Sequence, residues 1–556
     1  MGAVITEEDG TPTLPPVRGP ATSHTDTFVI DRLPPVETWP VMNYRDLAVQ
    51  YAPQLNCAAE LIDAAVDELG FGERTLFHTS TGSSTYRDFL ERSNQVANFL
   101  VTECGLEPGN RVHLHGPNTP MIAACWAGVV KAGGVCVATM PLLKEKELSF
   151  VVEKAQVHLS LTDQATSAEV LKTQRSSNTL TEVYIFGASG PDSLESKLAR
   201  HSTVFENIAT MATDPVIIAF TSGTTGNPKA TVHFHRDVMA ICDSFPHSIL
   251  NLGPDDIITG TPPFAFTFGL GALLLFPMRY GASVALVEGS GPGKLLETIE
   301  KNRVTTCFTA PGAYRALLDH ISGRAISRLR QCVSAGETLP PAVFDAWQQA
   351  HGIKIIDGIG ATEMLHIFIS AAGDDIRRGA TGRPIQGYSA KIIDENGRDV
   401  EAGTVGLLAV RGPTGCRYLD DARQREYVRD GWNVTGDLYI KDSDGYFYFK
   451  GRADDLIISG GYNISPTEVE DALLTHAEVR ECGVVGVPDG FGSQLVKAFV
   501  VLRNPEMAGA ELVHDLLEHV REQMNPWKSP KVVQFVSELP KGSTAKLLRY
   551  RLREMG

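Results

Sequence analysis

The segment with the clearest chemistry is PVIIAFTSGTTGNPK at residues 215–229, where an apolar run leads into Thr, Ser and Gly residues and ends on a lysine. Gly223 and Gly226 allow the backbone to take positive φ and to approach an anion closely. Hydroxyl and backbone N–H groups between these glycines can surround a phosphate. We therefore predict a phosphate-binding loop, with an ordinary surface loop as the alternative. The hydroxyl-bearing residues of the loop are Thr221, Ser222, Thr224 and Thr225.

The spacing of this loop differs from that of the Walker motif. A Walker loop needs Gly-Lys-Ser/Thr in direct succession at the start of a helix, whereas Asn227 and Pro228 separate the last glycine from Lys229. The string instead resembles the phosphate loop of the acyl-adenylate-forming superfamily, which includes acyl-CoA ligases, carrier-protein adenylation domains and luciferases. This resemblance implies that the protein binds ATP and AMP and that Lys229 contacts phosphate.

A second motif, IGATE at residues 359–363, follows the strand-like sequence IKIIDG. Glu363 therefore lies just beyond a strand end, where α/β proteins gather their ligands. The superfamily has a tyrosine first in this motif, and Ile359 replaces it here, as in benzoate-type ligases. The resemblance implies that Glu363 binds Mg²⁺, which prefers carboxylate oxygens, and that Thr362 contacts the phosphates. An ordinary surface glutamate is the alternative.

Further motifs resemble the segments that hold the nucleoside in this superfamily. In TGD at residues 435–437, the carboxylate of Asp437 can accept hydrogen bonds from both ribose hydroxyls, and Arg452 is its usual partner. The segment SAGET at residues 334–338 resembles one wall of the adenine site. The residues assigned to the two adenine walls are Gly336, Glu337, Asp357 and Gly358.

Several positions near the C-terminal end resemble the moving parts of the superfamily. Asp454 matches the hinge about which the small domain rotates. Gly460 and Gly461 match the loop that enters the pantetheine tunnel of coenzyme A during thioester formation. Lys546 aligns with the catalytic lysine of adenylation, which bridges the substrate carboxylate and the α-phosphate.

The loop that carries this lysine departs from the superfamily string PKTxTGK. In PKGSTAK at residues 540–546, Gly542 replaces a threonine and Ala545 replaces the glycine before the lysine. Alanine at a positive-φ position costs about 1–2 kcal/mol. A catalytic group displaced by about 1 Å can cost on the order of a hundredfold in rate. An enzyme that favours thioester formation and receives a preformed acyl-adenylate from a partner adenylating ligase is therefore one alternative.

The acyl pocket predicted from the resemblance is apolar and suits a ring. Long stretches of the chain, including PPFAFTFGLG at residues 262–271 and TEMLHIF at residues 362–368, resemble benzoate and 2-aminobenzoate CoA ligases. These segments predict an aromatic or other ring-containing carboxylic acid as the substrate. A larger alicyclic or polycyclic acid is also compatible. The residues predicted to contact the acid are Phe266, Phe268, Gly269, Ser334 and His366.

Composition limits the other classes of function. The chain has 556 residues and a formal net charge of −16, and it lacks basic runs, so we predict no nucleic-acid partner. We also predict no membrane segment, because the apolar stretch at residues 264–278 is shorter than a bilayer span. The nine cysteines show no metal-ligand spacing and indicate a cytoplasmic protein with reduced thiols. The oligomeric state stays open.

The pattern of apolar runs predicts an α/β large domain followed by a small α+β domain. We assign residues 1–40 to an N-terminal arm, 41–451 to the large domain and 452–556 to the small domain, with the hinge at 452–455. Shorter strands within residues 389–450 suit a small antiparallel, barrel-like layer. The strands predicted for two βαβ-type sheets are 112–116, 134–140, 159–163, 183–187, 256–260, 283–288, 305–309, 331–334 and 353–357.

Within the small domain, Ser465, Pro466 and Glu468 predict a helix that starts with a capping box. A second helix carries Leu512 and Leu516 on one face. The predicted strands of this domain are 482–487, 496–502 and 532–536.

Four functions share these motifs. The leading one is an ATP- and Mg²⁺-dependent acyl-CoA ligase. A carrier-protein adenylating enzyme, a luciferase-like oxygenase and a nucleotide or adenylate sensor without turnover are the others. The segment GPDSL at residues 190–194 mimics a phosphopantetheine attachment site, but it follows a strand of the large domain and is not part of a separate helical module.

Overall fold

The computed structural model describes residues 22–47, 49–221, 228–321, 326–459, 462–488, 494–542 and 546–555. Its large domain contains two mixed sheets covered by helices and a third, antiparallel sheet. Its small domain has a two-stranded and a three-stranded sheet and two apolar clusters of its own. This architecture confirms the predicted fold class.

The first sheet of the large domain has six strands and ends in the hairpin that carries the phosphate loop. All neighbouring strands are parallel except the last two, which are antiparallel. The central strand Arg111–His115 is buried along its whole length, as expected for a sheet covered on both faces. In spatial order the strands are Glu182–Phe186, Leu159–Asp163, Arg111–His115, Val135–Thr139, Pro215–Phe220 and Ala230–Phe234.

The second sheet has nine strands and supplies the other half of the site. Its central strands are parallel, and antiparallel strands flank them at both edges. The strand predicted at 353–357 is Ile356–Gly360 in the structure. In spatial order the strands are Arg383–Pro384, Ile367–Ser370, Ile356–Gly360, Gln331–Ser334, Thr306–Thr309, Ile257–Gly260, Ser283–Ala285, Thr75–His78 and Ser83–Thr85.

The third sheet is antiparallel, as the sequence predicted for this region. The long strand Trp432–Lys441 lies at its centre and pairs with the strand that leads to the small domain. This pairing fixes the position of the predicted ribose site. The strands are Ser389–Ile393, Gly406–Arg411, Val428–Arg429, Trp432–Lys441 and Phe447–Arg452.

Helices of the large domain pack on the faces of these sheets. The helix Pro120–Lys131 is buried over most of its length, and its N-cap Thr119 accepts a hydrogen bond from the N–H of Ile122 at 3.2 Å. The helices are Ala64–Asp67, Tyr86–Thr102, Pro120–Lys131, Glu145–Lys154, Ser167–Ser176, Leu194–Leu198, His235–Phe245, Thr267–Leu270, Phe276–Tyr280, Pro292–Asn302, Pro311–Leu318, Pro341–His351 and Gln424–Tyr427.

Within the described part of the chain, no helix combines the length and the apolar character needed to cross a bilayer.

A short 3₁₀ turn, Ala453–Asp455, lies at the start of the predicted small domain and contains the predicted hinge residue Asp454. A hairpin of two short strands precedes a three-stranded sheet, and the three strands predicted for that sheet are all present. The strands are Ile457–Ser459, Tyr462–Ile464, Val479–Pro488, Gln494–Leu502 and Val532–Phe535. The helices are Pro466–Leu474, Ala510–Gln523 and Arg549–Glu554.

The capping box predicted at the first of these helices is wrong, although the helix starts where expected. Ser465 is the N-cap, but its side chain makes no capping hydrogen bond. Its hydroxyl instead lies 2.8 Å from that of Thr467. The Glu468 carboxylate forms ion pairs with Lys528 and, at 3.7 Å, with Lys450 of the large domain. These lysines engage the acid that the capping box would have used.

The described part of the N-terminal arm lies against the large domain. The hydroxyls of Thr22 and Ser23 donate hydrogen bonds to the carboxylate of Asp214 at 2.5 and 2.6 Å. Val29 is fully buried in a core cluster of the first sheet. This part of the arm is therefore held in place by both polar and apolar contacts.

Candidate functional site

The predicted phosphate loop connects two antiparallel strands, Pro215–Phe220 and Ala230–Phe234. Its base is closed by two hydrogen bonds: the N–H of Thr221 donates to the carbonyl of Lys229 at 2.9 Å, and the N–H of Lys229 donates to the hydroxyl of Thr221 at 3.2 Å. The loop residues predicted to contact phosphate, Ser222, Gly223, Thr224, Thr225 and Gly226, lie outside the described residues.

Glu363 and Thr362 lie in a 3₁₀ turn, Thr362–Met364, directly after the strand Ile356–Gly360. This is the strand-end position that the sequence predicted for Glu363. The next residue, Leu365, takes a φ of 66°, which is strained for a leucine. His233 fixes the turn from the hairpin side, because its Nε2 lies 2.8 Å from the carbonyl oxygen of Thr362. Burial lowers the pKa of His233 to about 4, so its imidazole is neutral at pH 7 and donates from Nε2.

The Glu363 carboxylate is nearly buried, with 8% of its side chain exposed. The hydroxyl of Tyr418 donates a hydrogen bond to Glu363 Oε1 at 2.5 Å, and Lys229 Nζ lies 3.6 Å from the same oxygen. Lys229 Nζ is also 4.8 Å from the centroid of the Tyr418 ring. Burial, together with the Glu363 charge, raises the pKa of Tyr418 well above its ordinary value, so this hydroxyl keeps its proton.

The predicted ribose site is formed by two register partners, Asp437 and Arg452, on neighbouring antiparallel strands. Arg452 Nη1 donates a hydrogen bond to Asp437 Oδ1 at 3.0 Å. Gly436 precedes the aspartate with a φ of 77°. A Cβ at this glycine would be strained by its φ and would lie 3.3 Å from Arg452 Nη2. The positive φ of Gly436 therefore lets the backbone place the Asp437 carboxylate beside Arg452.

The two segments predicted to form the adenine walls lie at the ends of neighbouring strands of the second sheet. Ser334 and Asp357 are register partners on adjacent parallel strands, and Gly336 follows with a φ of 90°. Burial raises the pKa of Asp357 to about 7, and its Oδ1 has no partner among the described residues. A Cβ at Gly358 would lie 2.7 Å from Ile367 Cδ1, so this glycine permits close packing of neighbouring strands. Glu337, which follows Gly336, is exposed.

Lys546 of the small domain lies near the predicted acyl and nucleotide residues of the large domain. We call the space among these residues the cleft. Lys546 Nζ lies 5.9 Å from the ring centroid of Phe266, a residue of the predicted acyl pocket. Burial lowers the pKa of Lys546 below the usual lysine value, and nearby carboxylates partly offset this shift. Those carboxylates belong to Asp437, Glu337 and Glu363. The charges of the predicted ribose and metal residues therefore act on Lys546 and partly restore its pKa.

The lysine loop is a hairpin whose stem is formed despite its departures from the superfamily string. Lys541 and Leu547 form an antiparallel bridge, and the N–H of Gly542 donates to the carbonyl of Lys546 at 2.8 Å. Gly542 does not take a positive φ. Residues 543–545, which include Ala545, lie outside the described part of the loop.

The predicted acyl pocket has an aromatic wall around a buried histidine. The ring centroid of His366 lies 4.6 Å from that of Phe276, 5.3 Å from that of Phe245 and 5.7 Å from that of Phe268. Burial lowers the pKa of His366 to about 3, so the imidazole is neutral at pH 7. Neither of its ring nitrogens has a hydrogen-bond partner in the described ranges, although the backbone of Phe268 approaches it.

The other predicted substrate residues differ in what they contact. Phe266 is half-buried at the N-cap of the helix Thr267–Leu270. Gly269 lies inside this helix, and an added Cβ would come within 2.1 Å of the carbonyl oxygen of Pro263. Gly269 therefore allows the backbone of this helix to pack closely against the backbone at Pro263. Ser334 is buried, and its hydroxyl has no partner among the residues described.

The remaining predicted positions divide between the hinge and the tunnel. Asp454 is within 3.8 Å of Arg452 Nε, which links the hinge to the ribose site. Gly460 and Gly461 lie outside the described residues. Both the hinge and the tunnel therefore stay predictions.

The sequence that mimicked a phosphopantetheine site has a structural role. Ser193 is buried and caps the helix Leu194–Leu198 by accepting a hydrogen bond from the N–H of Ser196 at 3.3 Å. Its own hydroxyl donates to the carbonyl of Gly190 at 2.9 Å. A buried capping serine is not accessible to a modifying enzyme.

Sequence reasoning missed the residues that support the site from behind. Tyr418 holds Glu363, and His233 holds Thr362. An ion pair between Arg417 Nη1 and Asp237 Oδ2, at 2.8 Å and fully buried on both sides, lies in the same region. Periodicity carries no signal for Tyr418, whereas His233 could have been noticed as a polar residue in the apolar strand ATVHF.

Comparison with known proteins identifies the family. The model of the AMP-binding enzyme family matches residues 67–417, and that of the AMP-binding enzyme C-terminal domain matches residues 468–546. The chain therefore belongs to the AMP-binding enzyme family. The matched regions contain the phosphate hairpin, the Glu363 turn and the lysine loop.

Its relatives include aryl-CoA ligases. The chain is 33% identical to benzoate–CoA ligase of Thauera aromatica over 91% of its own length and 97% of the relative. Among solved structures, the anthranilate CoA ligase AuaEII in complex with anthranoyl-AMP superposes with a TM-score of 0.86 and 32% identity, covering 91% of this chain and 98% of that one. A benzoate CoA ligase from Burkholderia xenovorans LB400 gives a TM-score of 0.82 and 30% identity, covering 90% and 100%.

Proposed function

We propose that this protein is an acyl-CoA ligase that activates an aromatic carboxylic acid with ATP, through an acyl-adenylate, and then forms the CoA thioester. The observation that carries the proposal is the position of Lys546, whose Nζ lies 5.9 Å from the Phe266 ring of the predicted acyl pocket and whose pKa, lowered by burial, is raised in part by the carboxylates of the predicted nucleotide site. A lysine there can contact a substrate carboxylate and an α-phosphate at the same time.

The first half-reaction requires charge stabilisation more than proton transfer. The substrate carboxylate attacks the α-phosphate, and pyrophosphate leaves. Negative charge develops on the phosphate oxygens, and a preorganised cation in a partly dehydrated cleft stabilises it strongly. Lys546 supplies this cation, and Asp437 with Arg452 holds the ribose, so that the α-phosphate is presented to the acid. The CoA thiolate then displaces AMP and forms the thioester.

Glu363 is the residue that would hold Mg²⁺. Within the residues that the structure describes, no three His, Cys, Asp or Glu side chains are grouped to bind a metal. A single buried carboxylate fits Mg²⁺, which is usually held by one or two carboxylates together with waters and substrate phosphates. When bound, the ion would neutralise charge on the phosphates. Lys229, next to Glu363, would contact the same phosphates.

The aromatic surroundings of His366 favour a benzoate-type acid over an aliphatic one. The phenylalanine rings around the buried, neutral imidazole of His366 present faces and edges. The flat, uncharged ring of a benzoate packs well against such surfaces. The unpartnered nitrogens of His366 can bond a hydroxyl or amino substituent on such a ring. The relatives named for benzoate and anthranilate agree with this substrate class.

Coenzyme A is the acceptor that we propose, because the relatives are CoA ligases and the carrier-type serine is buried. The position of Lys546 favours an enzyme that performs both half-reactions over one that depends on a partner ligase for its adenylate. All nine cysteines are free thiols, which supports a cytoplasmic location.

A panel of acids tests the proposal. Pyrophosphate exchange, CoA-dependent AMP release and light output are measured with benzoate, 3- and 4-hydroxybenzoate, 2-aminobenzoate, cyclohexanecarboxylate and hexanoate. We expect exchange and CoA-dependent AMP release with at least one benzoate, and no light. Exchange with hexanoate alone would contradict an aromatic substrate. ATP binding without exchange or AMP release for any acid would indicate a sensor.

A further inference from the structure

Tyr418 is fully buried between the phosphate hairpin and the Glu363 turn. Its backbone bridges to Thr231 of the hairpin strand, and its N–H donates to the side-chain oxygen of Gln424 at 2.9 Å. Two independent backbone contacts therefore fix the position of the Tyr418 backbone, from which the side chain extends. A side chain anchored in this way has little freedom to adjust when its partners move.

The side chain of Tyr418 contacts two predicted site residues by different chemistry. Its hydroxyl donates a hydrogen bond to Glu363 Oε1 at 2.5 Å. The face of its ring lies 4.8 Å from Lys229 Nζ, within the range of a cation–π contact. Lys229 and Glu363 are themselves 3.6 Å apart, so the three groups form a closed triangle.

We propose that Tyr418 is a positioning residue that fixes Glu363 and Lys229 relative to each other for binding of the metal–nucleotide complex. This inference rests on the proposed function, since it assigns Glu363 to the metal and Lys229 to the phosphates. Glu363 follows the second sheet, whereas Lys229 belongs to the hairpin of the first sheet. Tyr418 contacts both residues and so links the two halves of the site.

The hydroxyl has a further consequence for the carboxylate. Tyr418 and Lys229 both contact Oε1, so rotation of the Glu363 carboxyl group would break two contacts. The carboxylate is therefore held in one orientation before the nucleotide arrives. Removing the hydroxyl alone should leave the cation–π contact in place but free the carboxylate to rotate.

The test is Tyr418→Phe, with Tyr86→Phe as a matched control. Tyr86 is also fully buried and donates a hydrogen bond, to the carbonyl of Pro277 at 2.7 Å, but it packs against other helices of the large domain. Both variants lose one buried tyrosine hydroxyl that makes a hydrogen bond. Melting temperatures establish that the two variants are folded to a similar extent.

Calorimetry measures the affinity for ATP with and without Mg²⁺, and electron paramagnetic resonance measures Mn²⁺ bound to the enzyme–ATP complex. We expect Tyr418→Phe to weaken binding of the metal–nucleotide about tenfold and to leave metal-free ATP binding within about twofold. The Mg²⁺ concentration for half-maximal pyrophosphate exchange should rise by a similar factor. Tyr86→Phe should match the unaltered protein in all three measurements.

Glu363→Gln separates the failure of this inference from that of the proposed metal site. If Glu363→Gln weakens metal–nucleotide binding but Tyr418→Phe behaves like Tyr86→Phe, the positioning role is overturned and the metal site stands. If neither Glu363→Gln nor Tyr418→Phe changes metal binding, the metal assignment fails and the inference fails with it. An equal loss of ATP affinity with and without metal in Tyr418→Phe would indicate general damage and also overturn the inference.

Discussion

Replacing Lys546 with alanine should remove the first half-reaction and spare the second. Lys546 belongs to the small domain, and its Nζ is 5.9 Å from the Phe266 ring of the predicted acyl pocket. A positive charge about 4 Å from a developing negative charge contributes on the order of 4 kcal/mol at an effective dielectric constant of about 20. Loss of that stabilisation corresponds to a decrease of roughly a thousandfold in the rate of adenylation.

The assay compares the two half-reactions in one preparation. Acid-dependent ATP–pyrophosphate exchange reports adenylation, and conversion of a supplied benzoyl-adenylate to benzoyl-CoA reports thioester formation. Lys541→Ala is the matched control, since Lys541 lies in the same hairpin but is exposed and pairs with Glu481 at 2.7 Å. Surface pairs of this kind contribute little, so Lys541→Ala should retain both activities.

The pKa of Lys546 adds a pH dependence to this prediction. Because burial lowers this pKa, the ammonium form is lost at a lower pH than for an exposed lysine. Pyrophosphate exchange should therefore decline as the pH rises through the lowered value, while thioester formation from supplied adenylate should lack that decline. Equal loss of both half-reactions in Lys546→Ala, or an equal effect of Lys541→Ala, would refute the assigned role.

Three further predictions concern the tunnel, the core and the lysine loop. Gly461→Leu should block thioester formation from supplied adenylate and retain pyrophosphate exchange, and the reverse pattern would contradict a tunnel at that loop. Burial holds the pKa of His113 well below 6.5 and that of His115 at about 4, so the unfolded chain binds protons that the folded chain does not as the pH falls. Urea unfolding should show a loss of at least about 2 kcal/mol between pH 6.5 and 5.5, because these two residues contribute about 1 kcal/mol each and the buried His233 and His366 act in the same direction, and equal stability at both pH values would contradict this. Restoring the family loop with Gly542→Thr and Ala545→Gly should raise exchange by less than about tenfold, since the lysine already faces the cleft. A larger rise with unchanged CoA transfer would identify a weak natural adenylator.

The sequence predicted those features that depend on residues close together in the chain. Apolar runs located most of the parallel strands of both sheets, because a buried strand needs only its own side chains to be apolar, but they missed Thr75–His78 of the second sheet. Glu363 was correctly placed beyond a strand end, since the preceding strand and the turn are contiguous in the chain. The ribose pair Asp437 and Arg452 was expected from the resemblance, and the hairpin register brings these residues together.

Contacts between distant segments could not be predicted in this way. Tyr418 and Glu363 are 55 residues apart, and no periodicity links them. The aromatic surroundings of His366 combine Phe245 of the helix His235–Phe245 with Phe268 and Phe276 of the continuous helical stretch at 267–280, and these two segments meet His366 only in the folded chain. The capping box at Ser465 failed for the same reason, because lysines distant in sequence engage Glu468.

Pairing of charges in the cleft explains how a chain with a net charge of −16 can receive an anionic nucleotide. Lys229 lies 3.6 Å from Glu363, and Arg452 lies 3.0 Å from Asp437. Lys546 is likewise attracted by the Asp437 carboxylate. Each of these three cations therefore interacts with a carboxylate before the nucleotide binds, and this interaction weakens the attraction of the site for bare ATP. On the proposed function, a metal that neutralises part of the phosphate charge becomes part of recognition itself. On the same proposal, this pairing would hold Lys229, Arg452 and Lys546 near the phosphates, so that nucleotide binding would exchange their carboxylate partners for phosphate oxygens.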